Sequence, residues 1–508
     1  MYTEKAKRGR HQAIFEPGDW LWVHFRNERF SKQWKSNLDP RGDSPFQVLE
    51  RICTNSYRID LLDSRTNPFK EGGDDANMGD KHVSNGMDVN ITLPPGPIAR
   101  EATKKIKASL QHLMKQVVRE GMNAYEEKAK FVTNENPIDK PAAFDITKFG
   151  ATSDGKADAS KAIMDAWKEA CAAAGSSKIL IPAGKFLAGI VNVTGPCKGA
   201  IEVEVQGTVQ APPDLGGDAW FSFSHINQFT LSGKGTLDGQ GEVAWKGESC
   251  DKDPKCKKNP MNIRFNYLNQ SLVRDITSLN SKRFHVTVLG CDNFTFEGFT
   301  VTAPEDSDNT NGIHIGRSKG VTISNTKIGT GGDCISIGDG AQNLKVTKVT
   351  CGPGHGISIG SLGKYENEEP VSGINVADCT LKSTTNGVRI KTWPALFPNS
   401  ASDIHFQDIN MENVSNPIII DQVYCPWDKC NKKEPSKVKI SDVSFKNIKG
   451  TSATALAVQL ICSSGIPCEK VELTDIDLTY SGPQGPAKSE CIDVKPIITG
   501  KMIPEGCK

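Results

Sequence analysis

The chain lacks most of the features that would decide its class at a glance. No run approaches the ~18–20 apolar residues that a membrane-spanning helix requires, so no membrane partner is expected. No excess of one charge exists: 61 Lys and Arg face 60 Asp and Glu, leaving a net charge of +1. A chain so balanced does not bind nucleic acid or another polyanion with its whole surface, and any electrostatic recognition must be local. Aromatic residues are scarce, at 7%, while glycine is abundant, at 47 residues. That balance suits tightly turned β structure better than a helical bundle. The opening MYTEKAKRGRHQ lacks the charged-then-apolar order of a secretory signal. Cysteine is nearly missing from the first third, where only Cys53 precedes Cys171 among 15 cysteines.

The region from Cys171 onward argues the other way about compartment. A crowd of cysteines in one region is what an oxidising environment favours. Cys425/Cys430, Cys462/Cys468 and Cys491/Cys507 are close enough in sequence to close small loops. Asn90, Asn192, Asn269, Asn293 and Asn413 each begin an Asn-x-Ser/Thr triplet, a pattern compatible with secretion. Cys334, Cys351 and His355 could be read as zinc ligands, but no paired C-x2-C spacing accompanies them, and no metal or cofactor is expected.

The texture of the chain changes near residue 140, which suggests three parts: 1–62, 63–142 and 143–508. Within the first, Phe15-Glu16-Pro17-Gly18-Asp19 reads as a turn. Trp20–Phe25, Ser44–Leu49 and Tyr57–Leu61 read as alternating strands. Residues 63–98, rich in Gly, Asp, Asn and Pro, read as disordered linker, and 99–128 as a basic, helix-like stretch. Over about 15–128 this part resembles the C-terminal module, SH3-like, of plant Ty3/gypsy-type retrotransposon integrases. The resemblance is tightest through Pro17-Gly18-Asp19-Trp20 and Pro40-Arg41-Gly42-Asp43-Ser44-Pro45-Phe46, with Ser44 where that family has glycine. It implies contact with DNA phosphates through Lys and Arg, but with no integrase catalytic core present the expectation is a relic. Nucleic acid is a partner only through 15–62.

From Phe144 the sequence becomes repetitive. An amphipathic helix is expected first, with Ile163, Trp167, Ala170 and Cys171 on its apolar side, capping one end of the repetitive region. One short alternating phrase then recurs: Val321-Thr322-Ile323, Leu344-Lys345-Val346, Ile374-Asn375-Val376, Ile404-His405-Phe406, Val438-Lys439-Ile440 and Val471-Glu472-Leu473. Spacings of this size mean stacked units that bury their faces only against one another. Short strands without intervening helices point to a parallel β-helix rather than a βαβ sheet, and propeller blades would need four strands per unit. The expectation is an all-β chain: a parallel β-helix with a short N-terminal capping helix, preceded by the small SH3-like module and the linker.

Four segments lie along this solenoid: Asn309-Thr310-Asn311-Gly312, Gly331-Gly332-Asp333-Cys334, Gly354-His355-Gly356 and Arg389-Ile390-Lys391. Steps of 22 residues separate Asn311 from Asp333 and Asp333 from His355. Residues one coil apart line up in space, so Asn311, Asp333, His355 and Arg389 should form a polar cluster on one face. Taken alone, each Asp or Asn could merely end a strand through a side-chain turn; four aligned segments argue for a site. Together they resemble the active-site signature of polygalacturonases, glycoside hydrolase family 28, over about 143–508, with an exo-type plant likeness around Tyr424-Cys425-Pro426-Trp427. The resemblance implies a right-handed parallel β-helix, a Cys334–Cys351 bridge and inverting hydrolysis of α-1,4-galacturonan in pectin, by a secreted, monomeric protein of the cell wall.

That family reads Asn-Thr-Asp and Gly-Asp-Asp where this chain has Asn311 and Gly332. By resemblance, Gly332 occupies the general acid's position, Asp333 and Asn311 those that hold and activate water, and His355 that of the residue tuning the acid. Arg389 and Lys391, with Asn309, match substrate-binding positions; a guanidinium suits paired contact with a carboxylate. Two of three carboxylates are thus replaced. The sequence therefore predicts strongly impaired hydrolysis, with a pectin-binding solenoid or a DNA-binding fusion product as alternatives. An Asn-Gly step at Asn311-Gly312 is also prone to deamidation, which would return an aspartate there.

Overall fold

The computed structural model describes residues 20–22, 45–53, 56–59, 141–246, 259–426 and 430–507. The expected turn at 15–19, linker at 63–98, basic helix at 99–128, the Asn90 triplet and Trp427 lie outside them. The chain divides into two compact units, Met1–Val117 and Val118–Lys508.

In the first unit three strands pair antiparallel. Trp20–Trp22 lies against Pro45–Cys53 with Trp20 opposite Gln47, and Pro45–Cys53 lies against Ser56–Ile59 with Val48 opposite Ile59. These fall where alternation in the sequence puts them.

The second unit is a right-handed parallel β-helix, in which every strand pairing joins one coil to the next. Its described strands form sheets of 21 and 11 strands. On the 11-stranded face the register runs unbroken: Ile263 opposite Val286, then Ile313, Ile335, Ile357, Val388, Ile418 and Val458. Each of these eight side chains is fully buried. β-Branched residues dominate this column because they pack well on a pleated surface and each caps the next at the strand spacing of about 4.8 Å. Phenylalanines fill the interior of the N-terminal coils, with Phe223, Phe265 and Phe294 in successive contact at 5.6 and 4.9 Å between centroids.

One repeat differs from its sequence reading. Ile404 pairs with Val443 and Phe406 with Phe445, whereas Val438 pairs with Asn399. The aligned phrase is therefore Val443-Ser444-Phe445, five residues beyond Val438-Lys439-Ile440. Both phrases alternate within one strand, Val438–Ser452, so alternation alone could not choose between them.

The two ends of the solenoid are finished differently. At the N-terminal end the helix Ser160–Ala172 buries Ala162, Ile163, Ala166, Trp167 and Ala170. The Trp167 ring lies 6.1 Å from both Phe223 and Phe229, and Cys171, at the helix end, is bridged to Cys197. At the other end the strand Ile497–Ile503 pairs on one side with Glu469–Thr479 and leaves Ile497 53% and Ile498 37% exposed.

Disulfides join Cys334 to Cys351, Cys425 to Cys430, Cys462 to Cys468 and Cys491 to Cys507. The first removes the zinc reading of that region, because both sulfurs are spent on each other. Cys291 and Cys379 are free and buried.

One coil before Asn311, whose carbonyl accepts from His285 N at 2.7 Å, lies a buried polar cluster. Ser278 Oγ meets His285 Nδ1 at 2.8 Å and accepts from Asn262 Nδ2 at 3.0 Å, while His285 Nε2 has no partner. Burial holds the His285 imidazole neutral, its pKa lowered to about 3. The unfolded chain therefore takes up protons before the folded one, and stability must fall as pH drops below the ordinary histidine value of about 6.5. We expect thermal unfolding scans to show an acid limb beginning near pH 6.5, with His285 accounting for roughly 2 kcal/mol by pH 5. His285→Gln, which keeps a partner for Ser278 but cannot titrate, should flatten that limb.

Candidate active site

Two residues before Ile313, Ile335 and Ile357 stand Asn311, Asp333 and His355, so the coil register stacks them. Backbone bonds fix the column: Gly312 N donates to Asp333 O at 2.9 Å, Cys334 N to Gly356 O at 2.8 Å, and His355 N to Gly332 O at 2.7 Å. Thr310, fully buried, braces the first turn. Its Oγ1 meets Ser307 Oγ at 2.7 Å and accepts from Gly331 N at 3.0 Å, and its carbonyl receives the Thr330 hydroxyl. Gly356 closes the third turn at φ +78°, where a Cβ would stand 2.1 Å from Asn386 O. No other residue fits there without moving the next coil.

One carboxylate organises the cluster. Asp333, 4% exposed, accepts from Arg389 Nη2 at 3.1 Å and Ser358 Oγ at 3.0 Å through one oxygen, and from Lys391 Nζ at 2.8 Å through the other. Arg389 Nε also donates to Ser358 Oγ at 3.2 Å. Burial alone would raise the Asp333 pKa, but Lys391 and Arg389 outweigh it and hold it below the ordinary aspartate value. Lys391 is itself buried, which lowers its pKa against the pull of Asp333. The aromatic ring of Tyr424 lies 5.8 Å from the Arg389 guanidinium and 5.3 Å from Lys391 Nζ. His355 stands exposed at the lip. Desolvation lowers its pKa and the nearby cations oppose its charge, while Asp333 favours it.

Asn311 and Gly332 share one small space. Asn311 Oδ1 accepts from Asp333 N at 3.1 Å, and a Cβ built on Gly332 would lie 2.2 Å from that same oxygen. The amide of one position thus fills the room emptied at the other. The expected deamidation of Asn311 meets resistance here, because the Gly312 nitrogen that would attack the side chain is held by Asp333 O. Asn309 is exposed in a left-handed turn with φ 55° and is not among the partners of Asp333.

Several residues of the cluster escaped sequence reasoning. His314, Ser336 and Ser358 are register partners in one outward row that continues to the expected Arg389, and His314 Nδ1 meets Ser336 Oγ at 2.8 Å. Burial lowers the His314 pKa to about 4. The signal was present as Ile-His-Ile, Ile-Ser-Ile, Ile-Ser-Ile and Val-Arg-Ile, each with its middle residue facing out. Asp421 lies opposite Lys391 in the next coil, its pKa raised by burial; it and Tyr424 had no such signal.

Residues 171–502 match the family described as glycosyl hydrolases family 28, and residues 18–69 match the Tf2-1-like SH3 domain. The chain is 52% identical over 372 residues to a polygalacturonase of Gossypium barbadense, covering 72% of this chain and 91% of that one. It is 54% identical over 354 residues to an exopolygalacturonase of Oenothera organensis, covering 69% and 98%. Among solved structures, an endo-xylogalacturonan hydrolase from Aspergillus tubingensis aligns with a TM-score of 0.60 at 21% identity, over 71% of this chain and 99% of that one. A polygalacturonase from Erwinia carotovora ssp. carotovora aligns with a TM-score of 0.54 at 21% identity, over 72% and 99%. At such identities the solved structures establish the shared fold. The family match from 171 to 502 and the identity above one half across 72% of the chain lead to one conclusion: the chain belongs to glycosyl hydrolases family 28.

Proposed function

We propose that the solenoid binds α-1,4-galacturonan of pectin in an exo-type manner, with its inverting hydrolysis strongly impaired. The carrying observation is the state of Asp333. Inverting hydrolysis needs one carboxylic acid to protonate the leaving oxygen and a second carboxylate to activate water. Gly332 has no proton to give, and Asp333, held ionised by Lys391 and Arg389, cannot keep one. General acid catalysis contributes ~10²–10⁴-fold, and loss of a base at Asn311 adds to that deficit without being strictly additive. The binding half is better placed. Two cations, Arg389 and Lys391, share one carboxylate, so the trio carries one net positive charge for an anionic sugar, with His355 at its edge. Five disulfides among the described residues and the plant relatives support a secreted, cell-wall protein. We take it to be monomeric, with the solenoid over 143–508.

A second reading attaches to the first unit alone. The match over 18–69 supports a retroelement integrase-like remnant in 1–62, joined through 63–142. If it retains DNA contact, the full chain should shift duplex DNA in a manner that weakens with salt; no shift at low salt leaves it a relic.

Reducing-sugar release from polygalacturonate is expected at least about 100-fold below that of a relative with an intact acid, as the acid's contribution implies. A rate matching such a relative would refute the impairment. Activity should return in the Gly332→Asp/Asn311→Asp double variant. Gly332→Asp alone should recover less, because its Cβ meets the Asn311 amide. Asp333→Asn would leave Arg389 and Lys391 buried without a counter-charge, and denaturant unfolding should register a loss of about 3–5 kcal/mol. Added oligogalacturonate should offset part of that loss.

A further inference from the structure

The coil that carries Ser358 ends in a loop that the catalytic signature does not include. One of its three glutamates, Glu368, uses both carboxylate oxygens. Oε2 accepts from Gly363 N at 2.6 Å and Asn399 Nδ2 at 3.1 Å, and Oε1 from Lys364 N and Tyr365 N, both at 3.0 Å. Three consecutive amides therefore close on one anion, and Asn399 ties the anion to the following coil. Such charge-assisted bonds are short and directional.

The clamp matters because of what the loop carries. Lys364 Nζ lies 5.0 Å from the Trp393 ring. Trp393 meets Tyr424 edge to face, with centroids 5.7 Å apart and planes at 82°. Tyr424 in turn lies beside both Arg389 and Lys391. The backbone follows the same path: Trp393 N donates to Leu362 O at 2.9 Å, Phe397 N to Gly363 O at 3.1 Å, and Tyr424 N to Thr392 O at 3.2 Å. We infer that Glu368 is a positioning residue: by closing the 363–365 amides it sets the Trp393–Tyr424 wall that holds Arg389 and Lys391 in place for a carboxylated sugar. This rests on the galacturonan-binding reading of the site. Edge-to-face aromatic pairs and cation–ring contacts depend strongly on geometry, so a loosened loop is felt two rings away.

Glu368→Gln in the full chain tests it. Glutamine presents one acceptor oxygen where four donors converge, so part of the clamp is lost while the shape is kept. Near-ultraviolet circular dichroism well below the unfolding temperature should change, because the Trp393–Tyr424 pair moves. Calorimetry should show affinity for trigalacturonate falling about tenfold, the scale of a lost charge-assisted hydrogen bond. Affinity for fully methyl-esterified trigalacturonate should change less, which a general loss of stability would not produce. An unchanged aromatic spectrum, or equal losses for the two ligands, would overturn the assignment. If the wild-type chain binds neither ligand, the galacturonan reading fails, and the aromatic spectrum alone decides whether Glu368 sets the wall.

Discussion

The structure depends on parallel hydrogen bonding from each coil to the next. A single coil has one strand per face and cannot shield its own apolar side, so it is stable only when neighbours close over it. That requirement fixes the strands and leaves the turns free. Ile313, Ile335 and Ile357 are locked in one buried column, and the residues two places earlier are carried into a second column on the surface. The site is therefore a by-product of core register: Asn311, Asp333 and His355 stand together because the isoleucines behind them must.

On that frame the electrostatics have been rebalanced. A site built for proton transfer needs one carboxyl group that keeps its proton and another that does not. Here the column Asn311–Asp333–His355 holds one carboxylate, and two cations bind it. Buried ion pairs of this kind repay their desolvation only when the remaining bonding capacity is also used, and Ser358 completes that set. The Asn311 amide occupies the volume released at position 332, so the altered site is packed and hydrogen-bonded instead of hollow. On the reading proposed above, such a site holds an anion better than it cleaves a bond.

Legibility in the sequence followed the same division between strands and turns. The solenoid, its capping helix and the short disulfide loops could be read because coil spacing and alternation are periodic. The Ile-x-Ile phrases carried a further signal that went unused, since their middle residues form the outward row His314, Ser336, Ser358. The register of Val438–Ser452 was misread because two equivalent phrases share that strand, and only the long-range pairing of Ile404 with Val443 selects one. Glu368, and the place of Tyr424 beside Arg389 and Lys391, were not legible for a related reason. Both residues sit in loops whose lengths obey no period, and their partners are set by tertiary packing. Coil spacing brought Asp333 and Arg389 together across 56 residues, but the pairing of their charges in one bond is set by tertiary packing.

The unequal ends of the solenoid give the molecule a direction. The N-terminal coils are sealed by a helix that is bridged to them, whereas the last strand is held on one side and shows Ile497 and Ile498 to solvent. In a stack where each layer is secured only by its neighbours, loss of order propagates from the layer with fewest. Peeling therefore begins at the C-terminal rung, and several further coils must come away before it reaches Arg389 and Asp333. The polar site is set deep enough in the stack to outlast the fraying of its own edge.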